Sequence, residues 1–138
     1  MRLFQFFSRI FGGKKALRNE DGAVELKSVD NKIFIIKLEQ LICAQSSGNK
    51  SQVYFKDESA NVSIITRHSL KNLEESLCKP NGRIIRCHKS FIVNLDRVEK
   101  IAGTTKGFKL HIKDLNFVVP VSRRLGIDDI NQTDLFSV

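Results

Sequence analysis

The stretch that decides the fold runs Arg83-Ile84-Ile85-Arg86-Cys87-His88-Lys89-Ser90-Phe91-Ile92-Val93-Asn94. Two short apolar runs, rich in the residue types that fit a pleated surface, flank a polar middle. The middle holds Arg86, His88, Lys89 and Ser90, so two buried strands bracket a basic cluster of hydrogen-bond donors. Such a bracket is a rigid way to present contacts to phosphates and base edges.

The same texture extends in both directions. From Val24 the chain reads VELKSV, KIFIIK, LICAQ, QVYFK and NVSIIT before the deciding stretch, and VEKIA, FKLHIK and NFVVPV after it. Runs this short, divided by polar turns, predict a mainly β domain. Phe108, Leu110 and Ile112 alternate with Lys109, His111 and Lys113, which sends one strand face to the core and the other to solvent. His111 is therefore expected at the surface rather than in catalysis. One segment departs from this period: Leu70, Leu73 and Leu77 recur at helical spacing behind Ser69, a natural N-cap. That helix is expected to stop before Pro80, Asn81 and Gly82, which suit a type I turn. No internal repeat or low-complexity segment interrupts the pattern.

With 138 residues and 41% hydrophobic composition, the chain is long enough for one domain with a real core and needs no disulfide or metal to hold it. Lys and Arg outnumber Asp and Glu 23 to 15, a formal charge of +8, which favours an anionic partner such as nucleic acid or a membrane surface. Cys43, Cys78 and Cys87 are odd in number and lack close metal or redox spacing, so they read as reduced, buried thiols of a cytoplasmic protein. There is no Gly-rich phosphate loop, no H-E-x-x-H and no nucleophile motif, so neither an enzyme, a metal site nor a cofactor is expected. RNA binding would normally bring aromatic stacking platforms, whereas Tyr54 is the single tyrosine and most phenylalanines sit in apolar runs.

Ahead of the sheet-rich part, residues 2–11 place Leu3, Phe4, Phe7, Ile10 and Phe11 on one stripe of a helix, opposite Arg2, Gln5 and Arg9. Gly12-Gly13 stops it, and Lys14, Lys15 and Arg18 make the first eighteen residues basic with no acid among them. No run approaches the length that spans a bilayer, and polar interruptions argue against a secretory signal. The expected division is an amphipathic basic helix over 1–18, a linker over 19–23, the domain over 24–126 and a tail over 127–138. The N-terminal helix suits a peripheral membrane contact, or packing against its own domain, a second subunit or another partner.

Arg86-Cys87-His88-Lys89-Ser90-Phe91-Ile92-Val93-Asn94 resembles the hallmark of LytTR domains, Arg-x-His-[Arg/Lys]-Ser-[Phe/Tyr]-Ile-Val-Asn. The Ser69-Leu70-Lys71-Asn72-Leu73 helix and the closing Pro120-Val121-Ser122-Arg123 stand in the matching order. The resemblance covers about residues 24–126. It implies an elongated antiparallel fold with one small helix, whose loops enter the major groove of double-stranded DNA, and a transcription regulator; the residues before Val24 are too few for the receiver domain that the family often carries, so none is expected. It also implies DNA contacts from Asn49, Lys50 and Ser51, from Arg86 and Lys89, and from Arg123 with Arg124. Ser51 is smaller than the base-reading side chain usual in the first loop. Gln45 stands where an acidic residue is common, which makes the DNA side more positive.

For single residues a structural role competes with a contact role. His88 reads either as a base contact or, the favoured reading, as a ring satisfying nearby backbone groups. Asn94, at a strand end, is expected to shape a turn. Lys89 and Arg123 are the stronger contact candidates, because Arg offers two-pronged geometry to guanine or phosphate. One small domain touches little DNA, so two copies are expected on a repeated operator. A membrane-associated or partner-binding module acting through residues 1–18 is the competing function.

Overall fold

The structure, a computed structural model, describes residues 22–79, 82–104, 106–113, 115–123 and 125. The expected helix over residues 2–11, most of the linker, the Pro80-Asn81 corner, Arg124 and the 127–138 tail lie outside the described residues.

Among the described residues the chain runs β1 (Ala23–Lys27), β2 (Ile33–Lys37), β3 (Leu41–Ser47), β4 (Lys50–Asp57), β5 (Ala60–Thr66), α1 (Leu70–Leu77), β6 (Ile84–His88), β7 (Phe91–Asn94), β8 (Val98–Thr104), β9 (Gly107–Ile112) and β10 (Val118–Pro120). β1 begins at Ala23. The strands form a two-stranded sheet β1-β2, a five-stranded sheet β5-β4-β3-β7-β6 and a three-stranded sheet β10-β9-β8. Every strand pairing is antiparallel.

The five-stranded sheet is covered on both faces. Against one face, Val24, Leu26 and Ile36 of the small hairpin and Leu70, Leu73 and Leu77 of α1 meet Val53, Phe55 and Ile92. Against the other, Leu110, Ile112 and Val119 of the three-stranded sheet meet Ile42, Cys43, Cys87 and Val93. This double cover explains why β7 is buried at all four positions and why its sequence does not alternate. Each fully buried Leu, Val or Ile contributes about 1.5–3 kcal/mol relative to an exposed one. On β2, by contrast, Ile33 and Ile35 remain 44% and 55% exposed.

The helix forms as its sequence dictates. The Ser69 hydroxyl accepts the Asn72 amide at 3.2 Å, and Leu70, Leu73 and Leu77 line its buried face. Asn94 is 2% exposed, donates to the Leu41 carbonyl at 2.8 Å and accepts the Asp96 amide at 3.0 Å. Its amide fixes the turn after β7, as an Asx residue at a strand end does. His111 is half-buried beside the exposed Lys109, while Leu110 and Ile112 are buried.

Candidate nucleic-acid interface

Strand register gathers several turns at one end of the molecule. Ser47 pairs with Lys50 around Gly48-Asn49, His88 pairs with Phe91 around Lys89-Ser90, and Thr104 pairs with Gly107. The Ser46 amide donates to the Ser90 carbonyl at 2.9 Å, which sets the first two turns side by side. The chain leaving β10 joins them: the Val121 amide donates to the Phe108 carbonyl at 3.0 Å and the Ser122 amide to the Cys87 carbonyl at 2.7 Å. Arg123 follows directly.

An open groove of about 770 Å³ lies there, lined by Glu74, Arg86, His88, Lys89, Lys106, Gly107, Val121, Ser122 and Arg123. Four of these side chains are cationic and one is a carboxylate. The carboxylate is already matched, because Glu74 Oε1 accepts from Arg86 Nη1 at 2.7 Å. Among the described residues Lys89, Lys106 and Arg123 make no ion pair. Three cations on one concave surface, none of them ion-paired among the described residues, create a positive potential suited to a polyanion.

The turn between β6 and β7 is built by side chains. A bulge places Arg86 and Cys87 opposite Ile92 alone, since Ile85 pairs with Val93 and His88 with Phe91. Cys87 thereby turns into the core, where burial pushes its thiol up to about 12. Burial likewise raises the Cys43 thiol to about 12, so neither is a thiolate nucleophile at neutral pH. Arg86 Nε donates to the His88 carbonyl at 3.2 Å and Nη2 to the Lys89 carbonyl at 2.6 Å. The His88 ring accepts the Ser90 amide through Nδ1 at 3.1 Å and meets the Phe91 ring edge-on at 6.1 Å. One ring nitrogen is therefore spent on the backbone, which leaves Nε2 to donate when the ring is neutral.

The structure brings Arg86, His88, Lys89 and Arg123 together around the groove. Asn49 and Lys50 are exposed at the neighbouring hairpin tip, outside the groove lining. Ser51 requires a correction: it is 0% exposed, and among the described residues its hydroxyl has no hydrogen-bond partner. The physical reason is strand alternation, which turns Ser51 inward with Val53 and Phe55 while Lys50 points out. Its cross-strand neighbour Thr66 carries an equally buried, unpartnered hydroxyl. Lys106 and Glu74 escaped the sequence reading. The signal for Lys106 was the Thr-Thr-Lys-Gly turn between two alternating runs, whereas Glu74 carries none, being one more polar position on an amphipathic helix.

Among the described residues no group of three His, Cys, Asp or Glu side chains could hold a metal ion, and no helix is long and apolar enough to cross a membrane.

Residues 31–128 match the family model of the LytTr DNA-binding domain. Over 96 residues the chain is 31% identical to the transcriptional regulatory protein YpdB of Escherichia coli K12, covering 68% of this chain and 36% of that protein. An uncharacterized response regulatory protein of Vibrio parahaemolyticus is 32% identical over 94 residues, covering 68% and 35%. The chain thus spans about a third of the length of these relatives. A solved LytTr DNA-binding domain of a Bacillus cereus response regulator superposes with a TM-score of 0.62 at 26% identity, covering 83% of this chain and 98% of that one.

Proposed function

The chain belongs to the LytTr DNA-binding domain family, and from that premise we propose that it regulates transcription by reading double-stranded DNA sequence-specifically in the major groove. The observation that carries this reading is the groove where Lys89, Lys106 and Arg123, from three separate turns, stand together, none of them ion-paired among the described residues. Lys89 and Lys106 anchor phosphates. Arg123 reads a base edge, because it follows the stiff Pro120-Val121-Ser122 segment and carries a planar fork. Asn49 and Lys50 reach the same duplex from the adjacent hairpin tip, and His88 offers Nε2 to the groove. Arg124 extends the basic segment.

Two copies occupy adjacent operator repeats, since one groove of this size covers too little DNA for tight selective binding. Selection of bound sequences from random duplex DNA, followed by footprinting, tests the whole reading. Enrichment of a repeated motif with both repeats protected is expected. Equal retention of all duplexes, or preference for single-stranded RNA in competition, overturns it.

A second role is proposed for residues 1–18, whose apolar stripe and cations suit an anionic surface. They attach the domain to an anionic membrane surface or a partner. Flotation with anionic liposomes, with and without residues 1–18, separates the two.

A further inference from the structure

We infer that Arg86 is a positioning residue: with Glu74 it forms a clamp that ties α1 to the β6–β7 turn and fixes the orientation of Lys89 and His88. This inference rests on the DNA-binding reading above and changes the role that the resemblance implies for Arg86.

A guanidinium has five N–H groups in a rigid planar fork. In Arg86 one donor from each nitrogen is directed inward: Nε to the His88 carbonyl, Nη2 to the Lys89 carbonyl and Nη1 to Glu74 Oε1. The turn is closed from the remaining sides. The Ser90 carbonyl accepts from the Ser46 amide, and the Ser90 amide donates to His88 Nδ1. All three carbonyls from His88 to Ser90 therefore have partners, two of them supplied by one side chain. A two-residue hairpin turn has little backbone freedom left once its carbonyls are fixed. Lys89 is then the exposed member, held over the groove that Lys106 and Arg123 share.

Glu74 gives the clamp its direction. As a carboxylate lining a groove meant for phosphates, it opposes binding by its charge alone. Its place is explained if it orients the guanidinium, because a charge-assisted hydrogen bond of 2.7 Å fixes the fork that grips the two carbonyls. The two explanations predict opposite signs. A bystander carboxylate, when removed, raises affinity for every duplex. A clamping carboxylate, when removed, lowers affinity for the selected duplex.

The test uses the full chain and the duplex recovered by selection. Glu74→Ala is expected to weaken binding about tenfold on the selected and the scrambled duplex alike, as the loss of a phosphate anchor does. Glu74→Gln, which keeps an acceptor and loses the charge, is expected to restore most of the loss. Arg86→Lys keeps the charge but not the fork, so it should behave like Glu74→Ala. In a Lys89→Ala background it should cost little more. Amide hydrogen exchange at Ser90 and Phe91 is expected to quicken in Glu74→Ala and Arg86→Lys, with the strand amides of β3 unchanged.

Higher affinity of both Glu74 variants for all duplexes, or full binding by Arg86→Lys, overturns the clamp. Unchanged exchange at Ser90 and Phe91 overturns it as well. If the parent chain retains no duplex at all, the DNA reading fails, and the exchange measurement still decides whether the clamp orders the turn.

Discussion

Two hairpins at the same end of the molecule are built in opposite ways. The β3–β4 turn relies on backbone: Gly48 takes φ +64°, matching the Gly-first pattern of a type II′ hairpin, and an added Cβ there would meet nothing. The β6–β7 turn contains no glycine and relies on side chains, with Arg86, His88 and Ser90 interlocked around Lys89. The β8–β9 hairpin extends the backbone solution, since Gly103 takes φ +110° and its missing Cβ leaves room for the Gly107 carbonyl. A glycine turn takes its shape from backbone freedom, whereas a side-chain clamp consumes the side chains that build it. The candidate contacts divide accordingly: Asn49, Lys50 and Lys106 flank backbone-built turns, and Lys89 is what remains of a clamped one.

The largest expected effect breaks a backbone-built turn outright. Gly103→Ala drives a Cβ into the Gly107 carbonyl at a positive φ, so a loss of at least about 2 kcal/mol is expected in urea unfolding. Gly48→Ala meets open space and pays only for its backbone conformation, about 1–2 kcal/mol. Equal costs at the two positions would show that the close approach at Gly103 does not constrain the hairpin.

Next in size is the contrast between the two long cations of the groove. Arg123→Ala is expected to cost about 1–3 kcal/mol on the selected duplex and to relax selectivity at one position. Lys89→Ala should weaken all duplexes alike and flatten the salt dependence by about one unit of slope. Titration on selected and scrambled duplexes over a salt series measures both. Unchanged affinity for both variants, with folding intact, removes the groove as the DNA surface.

A smaller effect of opposite sign is expected at the foot of the β3–β4 hairpin. Ser51→Ala deletes a buried hydroxyl without a partner, so stability should stay the same or rise by up to about 1 kcal/mol, with DNA affinity unchanged. A selective loss of DNA affinity would reinstate Ser51 as a contact and with it a mobile hairpin tip.

The smallest effect concerns the start of the helix that holds Glu74. Burial keeps His68 below its ordinary value of 6.5, so the folded state prefers the neutral ring. Its contribution is complete above pH 6.5 and is lost as pH falls below that value towards the folded pKa. Thermal melts between pH 7.5 and 5 should show a decline that His68→Gln shallows. An identical decline in both proteins would assign the effect to other groups.

The sequence by itself determined the element types. Short β-branched runs, the alternation around Leu110 and the Ser69-capped leucine spacing reflect local periodicity, and the structure shows β9 and α1 where those patterns fall. The family was legible too, because nine consecutive positions from Arg86 to Asn94 carry its pattern and residues 31–128 match its model. The basic cluster was legible as charge, but not the separate uses of its members. Lys50 and Ser51 are adjacent and equally polar on paper, yet the pleat exposes one and buries the other. Arg86 and Lys89 look alike as cations. A β6 bulge and a carboxylate twelve residues earlier on α1 turn one inward, and only the tertiary structure decides this. Lys106 reaches the same groove because β9 and β10 bring the end of a distant hairpin beside β6. Local pattern fixes which way a chain folds over a few residues, while the pairing of distant donors and acceptors depends on which surfaces the core packs together.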